Sequence, residues 1–336
     1  MTKWCVIAAG GIADRRFIPA LKKDDENVLV AVMERVSSRS EELRDKWGVP
    51  AFTDARQMLE QIEADAVYIG SPVACHREHI ELALEYGLNV FVEKPFAMDS
   101  GEAAELLAKF KAAGKQLTVG YMMKYHNLQR KAKEIIASGG VGTVNSVRAS
   151  LACWYPEIEG AWRQKRALGG GGAVMDLAVH CIELLEYLLD DEIEEVKSLC
   201  STRTFSYEVE DGAVIIFRTE LGVLGHIDVN FNVPDAATES KVEIYGTEGS
   251  LVAKGTLGQT EAGGLTYLHA PLTGYDPAQG ARSSEGERFY AEGEDIYLKQ
   301  IRDFCRILRS GKPEYEWTER ALQVQRVVDE IYADAR

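Results

Sequence analysis

The 336-residue sequence has no apolar stretch near the roughly 20 residues that a membrane helix needs, so no bilayer-spanning segment is expected. Its opening, Met1-Thr2-Lys3-Trp4, lacks the basic, apolar and cleavable sections of a signal peptide, and a cytoplasmic location is the expectation. Basic charge is scarce: 38 Lys and Arg stand against 53 Asp and Glu, a formal net charge of −15. Binding a phosphate backbone needs a basic face that releases counterions, so nucleic acid is not an expected partner. The six cysteines (Cys5, Cys75, Cys153, Cys181, Cys200, Cys305) lie far apart, with no CxxC and no zinc-type Cys/His spacing. Reduced, mostly buried thiols are expected, with no metal site.

What is present fits a globular chain long enough for two domains. Lys3 to Ala9 reads as a strand, Gly10-Gly11 as a turn, and Asp14 to Lys22 as a helix. A second apolar run, Val28 to Met33, precedes a helix that Ser37 or Ser38 can cap. Further strands are expected at Ala66 to Ile69, Val90 to Val92 and Leu117 to Gly120, with helices around His76 to Tyr86 and Gly101 to Ala113. Unbroken apolar strands alternating with helices predict a parallel sheet covered on both faces. From about Val141 strand follows strand: Ser146 to Ala152, Glu195 to Phe205, Gly212 to Thr219, Val223 to Phe231 and Lys241 to Tyr245, with Gly246-Thr247-Glu248-Gly249 as a hairpin turn. One long helix, about Gly169 to Leu189, interrupts this series, and Gly258 to Gly293 reads as an irregular excursion. The expected fold is thus α/β followed by α+β: a doubly wound parallel sheet over residues 1–122, then an open-faced, mostly antiparallel sheet with helices on one face over 123–336. The last helix is a candidate to pack back on the first domain.

Ala8-Ala9-Gly10-Gly11-Ile12-Ala13 ends the first strand and opens the first helix, where a dinucleotide fingerprint belongs. Gly10 would let the backbone approach a pyrophosphate, and Ala13 permits close helix-to-strand packing. Ala8 stands where the ideal pattern has its first glycine. Glu34, 21 residues beyond Ala13, ends the second strand, where an acid accepts hydrogen bonds from the adenosine ribose. That acid favours NAD over NADP, while Arg35 and Arg39, beside Ser37 and Ser38, keep a 2′-phosphate open.

Glu93-Lys94-Pro95 follows a buried strand, at the edge where open α/β sheets bind ligands. A lysine there suits a substrate hydroxyl, although spacing alone points first to a salt bridge at a strand end. Gly169 to Gly172 precede Asp176 and His180, four residues apart on one helix face. The pair suits proton transfer, although alone it reads first as a structural helix pair. Adding His76 and His79 gives no convincing third metal ligand. Trp154 and Tyr155 form either an apolar platform for a sugar ring or part of the core.

Together these residues resemble the Gfo/Idh/MocA oxidoreductases, the family of glucose-fructose oxidoreductase and inositol dehydrogenase. The resemblance runs over nearly the whole chain, through the glycine turn, Ser71-Pro72 and His76, Glu93-Lys94-Pro95, Gly120 to His126, Trp162-Arg163, the glycine run with Asp176 and His180, and Gly246 to Gly249. It implies hydride exchange between a nicotinamide and a carbon of a sugar, cyclitol or polyol. Lys94 would polarise the reacting oxygen, His180 would act as acid/base with Lys94 open to sharing the proton work, and Asp176 would hold the substrate or assist the proton path. It further implies Gly10, Gly11, Ile12, Ala13, Glu34, Arg35, Ser71, Pro72, His76, Glu93, Lys94, Trp162 and Arg163 as cofactor residues. Tyr121, Trp154 and Arg163 join the catalytic three around the substrate, although Tyr121-Met122-Met123-Lys124 does not spell out which substrate. A homo-dimer or homo-tetramer formed through the second sheet is implied as well. Two other activities stay open: a redox-assisted glycosidase of the same family, and a non-catalytic dinucleotide sensor.

Overall fold

The computed structural model describes residues 1–270, 274, 275, 277, 286–293 and 295–335. It divides into two compact units, one formed by Met1–Tyr121, Gly160–Gly171 and Tyr297–Asp329, the other by Met122–Glu159, Gly172–Ile296 and Glu330–Arg336.

The first unit is built on six strands, β1 (Thr2–Ile7), β2 (Asn27–Met33), β3 (Ala51–Phe52), β4 (Ala66–Ile69), β5 (Asn89–Val92) and β6 (Leu117–Val119). They pair in the order β3-β2-β1-β4-β5-β6, every pair parallel. Strand β4, Ala-Val-Tyr-Ile, is buried at every position, as a strand covered on both faces must be. The strand order reverses between β1 and β4, which puts the ligand crevice of a doubly wound sheet at their C-terminal ends.

An aromatic chain fills the core. Phe17 stacks on Tyr68 at 3.7 Å between ring centroids, Trp4 meets Phe17 edge-on at 5.4 Å, and Phe304 from the helix Ile296–Ser310 contacts both Trp4 and Phe91. Gln116 and Glu314 exchange two hydrogen bonds of 2.8 Å, fixing the approach to the last helix, Glu316–Asp334. The helix after β2 runs Ser37–Trp47 with extended Val36 as its last non-helical residue, so neither Ser37 nor Ser38 caps it. The hydroxyl in use there is that of Ser40, which donates to the Phe52 carbonyl and ties the helix to β3.

The second unit carries eight strands: β7 (Val144–Ala152), β8 (Ile193–Ser201), β9 (Gly212–Thr219), β10 (Leu224–Asn230), β11 (Lys241–Gly246), β12 (Gly249–Lys254), β13 (Gly264–His269) and β14 (Glu287–Tyr290). Their order is β14-β13-β12-β11-β7-β10-β9-β8, antiparallel except for the β10–β7 pair. Along β9, Ala213, Ile215 and Phe217 are buried while Val214, Ile216 and Arg218 face outward. The helices Asn127–Ala137 and Val179–Leu189 pack together and against the strands.

Three expectations need correction. Strand β8 stops at Ser201, because Asp211 draws the next amides, those of Arg203, Thr204 and Phe205, out of register. The stretch expected to be irregular contains β13, paired with β12, and β14, paired with β13, within a surrounding turn-rich composition; its remaining residues lie partly outside those described. The long helix expected from Gly169 is broken: a short helix Arg166–Gly169 ends at Gly170, whose φ is +78°, and helical structure resumes as a π turn, Val174–Ala178, leading into Val179–Leu189.

Candidate active site

At the end of β1 the chain makes a sharp turn. Ala8 lies in the left-handed region at φ +55°, the Ala9 amide donates to the Met33 carbonyl at 2.9 Å, and Gly11 is again left-handed at φ +55°. A Cβ on Gly10 would stand 2.9 Å from Glu34 Oε2, and the Gly10 amide donates to that oxygen at 3.2 Å. A side chain at position 10 would therefore have to displace the Glu34 carboxylate, and the acid closing β2 reaches the glycine turn. The helix that follows opens with a π turn, Ala13–Phe17, in which the Ile18 amide reaches back to the Ala13 carbonyl. Ala13 is fully buried.

Around this turn lies a cleft of about 1200 Å³, whose walls include Gly10, Gly11, Glu34, Arg35, Ser71, Pro72 and Trp162. Ala13 and His76 are instead buried and support it. Sequence reasoning missed part of the wall: Thr53, Asp54 and Arg56 from the end of β3 onward, and Cys75, Glu78 and His79 from the segment after β4. Only the tertiary fold brings the β3 edge here, and no local motif marks it. Arg39 does not share Arg35's position on the wall, because its guanidinium is held by Asp14 at 2.8 Å and Glu42 at 2.7 Å.

His76 places its ring nitrogens 3.2 Å from the Phe96 carbonyl and 3.0 Å from that of Ser71. Burial pushes its imidazole down to about 4, outweighing the two carbonyls that favour the cation. The neutral ring carries a single N–H, so it donates to one of the two carbonyls at a time. His79 Nδ1 meets Ser71 Oγ at 2.9 Å, and burial lowers its pKa too.

At the end of β5, Glu93 is linked to Tyr68, whose hydroxyl donates to Oε1 at 2.6 Å. Burial pushes the Glu93 carboxyl above its ordinary range, against that hydrogen bond and the nearby Lys94 and Arg163 cations. The Lys94–Pro95 peptide is cis. Arg163 lies over the Trp162 ring at 4.2 Å, and its Cα would be 3.2 Å from a Cβ on Gly169, so that glycine allows a close backbone approach. Tyr121 is buried at the end of the first unit.

Within the second unit, Asp176 lies in the π turn and His180 in the first turn of Val179–Leu189. The spacing that would stack the two on an α-helix thus spans a π-to-α junction, the kind of irregularity that recurs at functional sites. His180 is buried. Three residues further on, Glu183 accepts a 2.7 Å hydrogen bond from Lys124 Nζ, and both side chains are almost wholly buried. Their separation of 59 residues hid this pair from any sequence motif. Trp154 is 44% exposed and meets Phe205 edge-on at 5.2 Å, whereas Tyr155 packs on the buried Phe231. Trp154 is therefore a surface aromatic, not core.

The sheet order, the glycine turn and the acid at the end of β2 define a dinucleotide-binding protein. The model of the oxidoreductase family with an NAD-binding Rossmann fold matches residues 2–121, and that of the GFO/IDH/MocA C-terminal domain matches residues 129–252. The chain belongs to the Gfo/Idh/MocA family of NAD(P)-dependent oxidoreductases. It is 28% identical over 272 residues to 1,5-anhydro-D-fructose reductase from Ensifer adhaerens, covering 80% of this chain and 81% of that protein. It is 27% identical to dTDP-3,4-didehydro-2,6-dideoxy-alpha-D-glucose 3-reductase from Actinomadura kijaniata, covering 98% and 95%. A structure of a 3-ketoreductase from Actinomadura kijaniata with NADP and TDP-benzene superposes with a TM-score of 0.86 at 25% identity, over 100% of this chain and 98% of the other. Among the described residues, no helix is long and apolar enough to cross a membrane.

Proposed function

We propose that this enzyme interconverts a secondary alcohol and a ketone on a sugar, cyclitol or glycoside. The reading rests chiefly on the cleft beside the glycine turn, where the Gly10 backbone is bare and Glu34 reaches the turn to accept from its amide. Such a cradle suits a dinucleotide, with the helix N-terminus favouring its phosphates. Gly10, Gly11, Glu34, Arg35, Ser71, Pro72 and Trp162 would hold it, with Ile12, Ala13, His76, Glu93 and Arg163 shaping or supporting the site. When bound, the nicotinamide supplies C4 as donor or acceptor of a hydride. Glu34 would repel a 2′-phosphate, and Arg39 is already engaged by two carboxylates, so NAD is the favoured cofactor.

For the chain's own chemistry, Lys94 binds and polarises the reacting oxygen, His180 takes or returns its proton, and Asp176 holds a neighbouring hydroxyl. Arg163, Tyr121 and Trp154 contribute to substrate recognition. The enzyme works in the cytoplasm on small carbohydrates, with neither nucleic acid nor membrane as partner. The outward face of the second sheet, with exposed Leu199, Val214, Ile216 and Leu224, would pair with a second copy to give a dimer or tetramer.

The test is reduction of NAD or NADP, followed at 340 nm, against sugars, inositols, glycosides and anhydrosugars, with Lys94→Ala as control. Turnover that depends on Lys94 supports the reading. Glycoside cleavage with no net reduction would replace it by a redox-assisted glycosidase, and dinucleotide binding with neither reaction would replace it by a sensor.

A further inference from the structure

We propose that Glu210, braced by Tyr332, is the positioning residue for the segment that carries Asp176 and His180. This inference rests on the reading in which those two side chains act on the substrate. The first amides of any helix lack partners within it. Here the N-cap residue is Ala173, which has no side-chain acceptor to offer. Glu210 supplies what is missing: its Oε1 accepts from the Gly172 amide at 2.8 Å and the Val174 amide at 3.1 Å, and its carbonyl accepts from the Ala173 amide at 3.1 Å. Three successive amides thus end on one residue, and a carboxylate at a helix start also meets the favourable end of the helix dipole.

The contact is close enough to dictate sequence. A Cβ on Gly172 would lie 2.0 Å from the Glu210 carbonyl oxygen, so only glycine fits. Glu210 is buried, and the Tyr332 hydroxyl donates to the same Oε1 at 2.7 Å. Asp211, next in the chain, accepts from the amides of Arg203, Thr204 and Phe205, which anchors the start of β9 on its other side. The Asp176 amide in turn donates to the Gly172 carbonyl at 3.0 Å. Asp176 therefore hangs from a peptide unit that Glu210 holds, and His180 follows after the π turn.

The experiment compares Glu210→Ala, Glu210→Gln and Tyr332→Phe in the full chain. It reads amide hydrogen exchange over residues 172–178, the His180 ring titration by NMR, kcat and KM with a substrate from the screen, and NAD affinity. Loss of the cap in Glu210→Ala should speed exchange there about tenfold. It should lower kcat by about tenfold or more through misplacement of Asp176 and His180, shift the His180 titration, and leave NAD affinity as in the wild type. Glu210→Gln keeps an acceptor oxygen and should restore most of each quantity, with Tyr332→Phe falling between. Unchanged exchange in Glu210→Ala, or faster exchange with kcat and His180 titration unmoved, overturns the proposal. If the wild type turns over no substrate, the dehydrogenase reading fails by itself. Exchange and the His180 titration then still decide: both altered in Glu210→Ala and restored in Glu210→Gln uphold positioning, and anything less overturns it.

Discussion

Replacing Ala8 with glycine should make the protein more stable, although it removes a methyl group. Ala8 stands at φ +55°, where an L-residue's Cβ crowds the backbone at a cost of about 1–2 kcal/mol. Glycine has no such penalty, but it gives the unfolded chain extra freedom worth about 0.4–1 kcal/mol. The difference runs from about 0 to about 1.6 kcal/mol and centres on about 0.8 kcal/mol in favour of Ala8→Gly, or a rise of about 2–3 °C in the melting temperature of a unit this size. Ala8→Val should go the other way by more than about 1 kcal/mol, since branching at Cβ worsens the same crowding. Urea titration followed by tryptophan fluorescence suits the measurement, because Trp4, Trp47, Trp162 and Trp317 all belong to the first unit. A less stable Ala8→Gly, or an Ala8→Val as stable as the wild type, would refute the strain argument.

His76 makes stability depend on acidity. Its folded pKa of about 4 lies below the usual 6.5, so its contribution is complete above pH 6.5 and is lost as pH falls toward 4, about 3 kcal/mol in all. His76→Gln should flatten that part of the pH–stability curve; an unchanged slope would mean that other groups carry it. Lys124→Met removes the ammonium facing buried Glu183 and should cost about 3–5 kcal/mol, most of it regained in the Lys124→Met, Glu183→Met double variant. If the double variant is no better than the single one in denaturant titration, the pair is not the cause. Glu34→Ser should improve NADP affinity relative to NAD by about tenfold, measured by fluorescence titration of both cofactors. Equal ratios before and after would show that Glu34 does not discriminate.

The parallel sheet was legible because strands buried on both faces leave uninterrupted apolar runs, as Ala66 to Ile69 do, and because a glycine turn and an acid mark its ligand edge. Alternation of buried and exposed residues marked β9 equally well. β13 and β14 escaped notice because they are short β-forming runs, Gly-Leu-Thr-Tyr-Leu-His and Glu-Arg-Phe-Tyr, set in a stretch rich in Gly, Ala, Pro and Ser. The π turn around Asp176 escaped because nothing in Val-Met-Asp-Leu-Ala separates an i→i+5 bond from an i→i+4 bond. Lys124 with Glu183, and Glu210 with Gly172, join residues far apart in the chain. Residue types at a given spacing suggest such contacts only within one element.

The dinucleotide unit is sewn together from distant stretches of chain. Phe304 completes the aromatic core begun by Trp4, Gln116 bonds to Glu314, and the Thr318 hydroxyl donates to the Leu117 carbonyl. A ribosome therefore finishes the first unit only after nearly all of the second has emerged. A nascent chain of the first 121 residues would hold the glycine turn and all six parallel strands, yet leave Trp4 and Phe91 without the ring that covers them. A frameshift or stop codon before Asp329 should thus damage the cofactor unit as well as the second one. A fragment designed to bind dinucleotide alone would have to borrow Tyr297–Asp329.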